Sequence, residues 1–306
     1  MTSTPGSAPN DGPAVAVPVR RAPMALVTWA FVILVLVIVV VLLVVKVTRG
    51  TTAVVPPPVA PAPASVVQAA ATVPVSVLDT VGAPAPDGPA PVVLSGQPAL
   101  VVDGRPAVVY VGSEFCPYCA AARWALVVAL SRFGTFDHLG ATSSSGAEAF
   151  PGIQTFSFDG AGYRSRFVSW SAVEEYGPTL DSMVPAGFAL LHRPGALARA
   201  LMTRYGSGPG SAGTGRSGAV ATLPFIDIGN RVLVEGAGIG FSPGALQGVS
   251  MAQIATDLSD PTSPVAQAIL GTANELTAAV CAATDETPVR VCRSAGVRAG
   301  ASRLGL

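Results

Sequence analysis

The stretch Arg105-Pro106-Ala107-Val108-Val109-Tyr110-Val111-Gly112-Ser113-Glu114-Phe115-Cys116-Pro117-Tyr118-Cys119 passes from a β-branched apolar run into a Cys-Pro-Tyr-Cys motif. Ala107 to Val111 is short and apolar, and the turn-forming pair Asp103-Gly104 precedes it, which predicts a strand buried on both faces. After Cys119, the run from Ala120 to Leu130 is rich in good helix formers. The predicted order is buried strand, Cys-x-x-Cys, helix, and the fold class is α/β.

That order gives the two sulfurs a chemistry. At a helix N-terminus Cys116 lies near unpaired backbone N–H groups and the positive end of the dipole. Both favour thiolate, the nucleophile of disulfide exchange. Pro117 fits the first helical turn, where its missing N–H costs nothing. Cys119, one turn further on, is expected to lie deeper and to resolve a mixed disulfide formed at Cys116. Cys-x-x-Cys also serves zinc, but zinc needs two further ligands at suitable spacing. The other cysteines, Cys281 and Cys292, and the two histidines, His138 and His192, make no such pattern. No metal and no cofactor beyond the sulfurs is expected. A vestigial or structural disulfide and copper delivery are the remaining readings of the motif.

A second feature lies about a hundred residues on. Thr222-Leu223-Pro224-Phe225-Ile226-Asp227-Ile228 follows a Gly/Ser-rich loop, Ser207 to Gly218, and reads as a strand opened by proline. Gly229-Asn230 then turns the chain into Arg231-Val232-Leu233-Val234-Glu235, a paired strand. A cis Leu223-Pro224 bond facing Cys116 would present backbone to a substrate; an ordinary trans proline opening a strand is the alternative.

With these residues in view, the chain resembles the thioredoxin superfamily. More closely, it resembles a membrane-anchored thioredoxin-like family of GC-rich Gram-positive bacteria whose domain has no assigned function. Tyr110 to Cys119, Arg123-Trp124, Ala129 to Gly134, Pro224 to Asn230 and the Cys281/Cys292 pair carry the likeness. It implies a thioredoxin-like domain over residues 92–292, with Cys116 and Cys119 as the redox pair and Pro224, with Leu223 before it, at the substrate. The long separation of Cys119 from Pro224 implies an insert over about 145–218. In it Thr155 to Phe158 and Phe167 to Trp170 read as strands, while Glu174, Tyr176, Leu180, Met183 and the segment Gly195 to Tyr205 suggest helical pieces. The insert is a lid or groove beside the cysteines, or padding.

Composition sets the wider frame. The chain has 306 residues, 18 basic and 18 acidic, with 12% charged and 50% hydrophobic. This excludes a highly charged disordered protein, and the lack of a positive surplus argues against nucleic acid as a partner. Ala22 to Val45 carries no formal charge and would form a helix of ~36 Å, enough to cross a ~30 Å hydrocarbon core. An uncleaved signal anchor over residues 22–45 is expected, with a cleaved signal as its rival. Residues 1–21 read as a disordered tail. Residues 46–91, with Pro56-Pro57-Pro58, Pro61, Pro63 and Pro74, read as an extended spacer.

Flanking charge leaves the orientation tied, with Arg20 and Arg21 on one side and Lys46 and Arg49 on the other. The cysteines break the tie. Ser263-Pro264 opens a helix with Val265, Ile269, Leu270, Ala273, Leu276 and Val280 on one face, and Cys281 near its end. Asp285 to Pro288 turns the chain back toward Cys292. A structural disulfide there would contribute ~2–3 kcal/mol; a relay to Cys116/Cys119, or free thiols, are the alternatives. Four cysteines pairing two and two favour an oxidising compartment. The tail is then cytoplasmic and the domain extracytoplasmic. Residues 293–306 read as a C-terminal tail after a helical extension.

The expected function is a membrane-tethered thiol–disulfide oxidoreductase, an oxidase or isomerase. Its partners are exported proteins bearing thiols or disulfides, with a membrane redox protein as a possible second partner. A non-catalytic binding module of the cell envelope is the alternative. Glu114, close to Cys116, is either a solvated loop charge, an opponent of the thiolate or a proton acceptor for Cys119. Arg123 and Trp124 read as a helix-surface charge and helix packing.

Overall fold

The computed structural model describes residues 24–48, 59–85, 89–181, 187–206 and 222–306. The N-terminal tail, Met183 and the Gly/Ser-rich loop before Thr222 lie outside the described residues. The chain divides into two units, residues 1–55 and 56–306. In the first, helix α1 runs over Met24–Thr48. Its side chains are described over Thr28–Val41, and all of them are exposed. That stretch covers ~21 Å against a ~30 Å hydrocarbon core, and no single helix among the described residues is long and apolar enough to cross a membrane.

The second unit is mixed α/β. Strand β1 (Ala60–Pro61), helices α2 (Ala64–Ala71) and α3 (Val75–Val81) and strands β2 (Val92–Val93) and β3 (Val101–Val102) lead to β4 (Arg105–Gly112) and helix α4 (Pro117–Leu130). Strands β5 (Gly134–Asp137), β6 (Gly140–Ser143), β7 (Gln154–Ser157), β8 (Gly162–Ser165), β9 (Ser169–Glu174), β10 (Tyr176–Leu180) and β11 (Phe188–Leu190) follow. Then come α5 (Ala196–Tyr205), β12 (Phe225–Ile228), β13 (Val232–Glu235), α6 (Met251–Asp257), α7 (Pro264–Ala283), α8 (Val289–Cys292) and α9 (Ala295–Leu304).

The main sheet is built around β4. On one side β12 runs antiparallel to it and continues through β13 to β2; β9 pairs with it in parallel, and β3 pairs with its first residues. Side chains alternate across the sheet as the period of two demands. Val108, Tyr110, Ile226, Ile228, Val232 and Val234 face the larger core with α4 and α7. Ala107, Val109, Val111, Phe225 and Leu233 face the other way, against Ala198, Leu201 and Met202 of α5. Helices on both faces explain why β4 is apolar throughout rather than alternating.

Local signals place the ends of the key helices. Cys116 is the N-cap of α4 with Pro117 at its first position. The Ser263 hydroxyl accepts from Val265 N–H, with Pro264 opening α7, as the cap pattern predicts.

Three expectations are corrected. The spacer does not extend to residue 91 as an exposed chain. Pro63 and Pro74 stand just before the first turns of α2 and α3, where preset φ favours a helix start, and Val66, Ala70 and Leu78 are in the core. The insert is mainly strand rather than helix: Glu174 ends β9, Tyr176 and Leu180 lie in β10, and only α5 matches an expected helical piece. The C-terminal tail is the packed helix α9. Its Gly296 and Gly300 press on α7 so closely that a β-carbon at Gly300 would lie 2.7 Å from the Asn274 carbonyl oxygen.

These packings predict two stability losses in denaturant titration. Leu78→Ala removes a core side chain and should cost about 2–5 kcal/mol. Gly300→Ala should destabilise by about 1–3 kcal/mol through overpacking, although the same change on a solvent-facing helix would stabilise. A neutral or stabilising result at both positions would return residues 59–85 and 293–306 to the status of linker and tail.

Candidate active site

The end of β4 delivers Cys116 to the N-terminus of α4. There Cys119 N–H donates to Cys116 Sγ across 3.2 Å. Cys116 Sγ also lies 3.8 Å from the carbonyl oxygen of Leu223, and the Leu223-Pro224 peptide is cis. β12 runs antiparallel beside β4, pairing Phe225 with Val111, so the segment before β12 arrives at the cysteines. The structure therefore brings together Cys116, Cys119, Leu223 and Pro224.

The two sulfurs differ. Cys116 is 7% exposed and Cys119 is fully buried, and both are free thiols. The hydrogen bond from the Cys119 side chain lowers the Cys116 thiol against the opposing effect of burial; the Cys119 N–H and the Arg123 charge lower it further. Burial holds Cys119 well above the ordinary thiol value, and its bond to Cys116 adds to this. One sulfur is the better thiolate and the other the better proton holder.

Beneath them lies a polar cluster that sequence reasoning missed. Arg123 is not a surface charge: it is wholly buried. Four residues after Cys119 on one helix face, its Nε donates to Glu174 Oε1 at 3.0 Å and to the Tyr110 hydroxyl at 3.2 Å. Its Nη2 donates to the Ser113 carbonyl at 2.8 Å, and its Nη1 to the Phe156 carbonyl at 3.3 Å. Burial alone would lower the Arg123 guanidinium, but Glu174, Tyr110 and Glu114 outweigh it and keep it charged. Burial pushes the Glu174 carboxyl up, to about 8, against the pull of Arg123. Glu114 is not a solvated loop charge either. It is buried and accepts from the Ser157 hydroxyl, while its Oε2 has no hydrogen-bond partner among the described residues.

One signal was available: Arg123 is the single charge in a helix otherwise apolar from Ala120 to Leu130. Glu174 gave none. It meets Arg123 only because the parallel register of β4 and β9 sets it beside Gly112.

Aromatic rings flank Cys116. Phe115 stacks on Phe188 of β11 with centroids 4.0 Å apart, and Tyr118 meets Phe150 edge to face. Cys281 and Cys292 form a disulfide with Cα atoms 5.6 Å apart. They are not brought to the site. Leu223, before β12, meets Cys116, whereas Gly229, after β12, abuts Ala283 near Cys281. The second pair thus sits at the opposite end of the sheet. Among the described residues no group of three or more His, Cys, Asp or Glu could hold a metal ion.

A family model described as a domain of unknown function, DUF929, matches residues 92–282. The chain belongs to the DUF929 family. Every residue of the site just described lies inside the DUF929 match, which ends just past Cys281 and short of Cys292. No curated protein and no solved structure matches the chain.

Two outcomes follow for the DUF929 site. The rate of iodoacetamide alkylation at Cys116 should rise with pH through a midpoint below the ordinary cysteine value, because thiolate dominates above a lowered pKa, while Cys119 stays unmodified. A midpoint at or above that value contradicts the asymmetry. Arg123→Met should move the midpoint upward and cost about 3–5 kcal/mol in unfolding free energy by stranding a buried carboxylate; an unchanged midpoint would show that the Arg123 charge does not reach the sulfur.

Proposed function

We propose that this protein is a membrane-tethered, extracytoplasmic thiol–disulfide oxidoreductase of thioredoxin-like fold that oxidises or isomerises exported proteins. The single observation that carries this reading is the geometry of the pair: Cys116 caps α4, accepts from Cys119 N–H and lies 3.8 Å from the Leu223 carbonyl oxygen, with Cys119 fully buried one turn beneath it. The fold reading is supported by the parallel β4–β9 pair with the cysteines after β4, the antiparallel β12–β13 hairpin on the other side, and helices on both faces. The tether is supported by the apolar side chains that α1 exposes along Thr28–Val41. The extracytoplasmic side is supported by the Cys281–Cys292 disulfide.

The exchange balances as follows in the reducing sense. Cys116 thiolate attacks one sulfur of a substrate disulfide; a mixed disulfide forms, and the second substrate sulfur leaves as thiolate and takes a proton from water. Cys119 gives up its proton to the departing substrate thiolate or to water. The Cys119 thiolate then attacks Cys116 Sγ, the bond to substrate breaks, and the second substrate thiolate leaves. The substrate has gained two electrons, and Cys116–Cys119 is now a disulfide. Run in reverse, the same steps oxidise a substrate dithiol, and a membrane redox protein restores the disulfide. Isomerisation needs the first step followed by release of Cys116 when a different substrate thiolate attacks the mixed disulfide and closes a new substrate disulfide. The Leu223 carbonyl beside Cys116 Sγ offers backbone pairing to a bound segment.

A disulfide-bearing peptide substrate tests this. Cys119→Ala should accumulate a mixed disulfide, visible by mass spectrometry, and Cys116→Ala should not. In the wild-type chain, mild dithiothreitol should reduce an oxidised Cys116–Cys119 pair before Cys281–Cys292. If neither variant traps substrate and the first pair reduces no more readily than the second, the chain is a binding module of the cell envelope and the enzyme reading fails.

A further inference from the structure

A cleft of about 460 Å³, open to solvent, lies between α3, the end of α4 and α8. Its lining consists of Val73, Val75, Leu78, Arg132, Arg290 and Val291. The volume is in the range of small-ligand sites. The walls combine four aliphatic side chains with two guanidiniums and no acid.

We propose that this cleft binds a phosphate monoester carried on an aliphatic stem. The argument starts from Arg132. This residue is half-buried just past α4. It donates from Nη1 to Asn274 Oδ1 at 3.4 Å and from Nη2 to Ser294 Oγ at 2.9 Å, two neutral acceptors. Among the described residues no carboxylate comes within ion-pair distance of it. The acid it feels is Asp79, whose Oδ1 accepts from Gly296 N–H at 2.7 Å at the start of α9. Burial lowers the Arg132 guanidinium to about 10, the mark of a cation that has lost water without gaining a close counter-ion. A guanidinium has five donors, and two neutral bonds anchor this one while leaving others for a ligand.

Arg290 supplies a second, exposed guanidinium in the same lining. A pair of guanidiniums suits an oxyanion with several acceptor oxygens better than a single-point charge. The aliphatic lining from Val73, Val75, Leu78 and Val291 adds selectivity, because it rewards carbon burial that a free inorganic ion cannot offer. The wall bearing Arg290 is also fixed in place. Arg290 and Val291 immediately precede Cys292, which the disulfide joins to Cys281 on α7. The inference stands apart from the chemistry at Cys116, whose site lies at the other end of the sheet.

The test uses the full-length chain in a non-ionic detergent, labelled with ¹⁵N at arginine. Titration with n-butyl phosphate should shift the Arg132 Nε signal saturably, with affinity about tenfold tighter than inorganic phosphate. Arg290→Ala, a change at an exposed position, should weaken n-butyl phosphate by about tenfold, the scale of one charge-assisted contact. Arg132→Met should abolish the binding measured by calorimetry. A parallel titration with dihexanoyl phosphatidate separates the sources: tighter binding than n-butyl phosphate assigns a lipid headgroup, weaker binding a soluble ester, and either supports the site. The proposal is overturned if neither ester gives a saturable shift up to about 20 mM, well beyond millimolar affinity, or if Arg290→Ala binds both as tightly as the wild type.

Discussion

A guanidinium sealed from water survives only where its charge is met and its donors are filled, and Arg123 imposes that demand on everything around the cysteines. α4 is buried along nearly its whole length, so its one charge cannot escape to solvent. Removing either member of a buried ion pair commonly costs about 3–5 kcal/mol. The price is avoided here by Glu174, Tyr110 and the carbonyls of Ser113 and Phe156 together. Those partners come from β4, β7, β9 and the loop before the cysteines. The cluster therefore locks the sheet, the insert and the active helix into one register.

The same cluster sets the electrostatics of the sulfurs. Arg123 lowers both thiols, burial raises both, and the hydrogen bond between them divides the result unequally. Thiolate character collects at Cys116, the less deeply buried sulfur, and the proton stays with Cys119. Glu174 balances Arg123 at 3.0 Å, and burial pushes its carboxyl up to about 8 against that pull. Gly112 makes room for this arrangement, because any β-carbon there would collide with the Tyr110 hydroxyl.

Away from the cysteines, α7 organises the rest. It packs on α4 on one side and receives α9 on the other, where Gly296 and Gly300 allow close approach. Asn274, buried within α7, donates to the Leu78 and Gly82 carbonyls at 2.8 Å and so ties down the end of α3. The Cys281–Cys292 disulfide fixes α8 against the same helix. The segments before β2 and after Cys292 that read as spacer and tail thus converge on α7.

The residues alone determined what is local. The apolar run of β4, the cap and proline that start α4, the Ser263-Pro264 start of α7 and the Gly229-Asn230 turn all depend on neighbours a few positions away, and such signals survive in one dimension. The Cys116/Cys119 pair was legible for the same reason, as was the lone charge in α4, although its burial was not. Tertiary structure decided the partners. Glu174 became the counter-ion of Arg123 through a parallel pairing of β4 with β9, and parallel strands carry no turn signal to announce their register. Prolines at 63 and 74 read as linker because the same fixed φ serves an extended chain and a helix start; only the burial of Val66, Ala70 and Leu78 separates the two. The cleft at Arg132 and Arg290 joins positions far apart in the chain, and its meaning comes from the water that folding removes rather than from any motif.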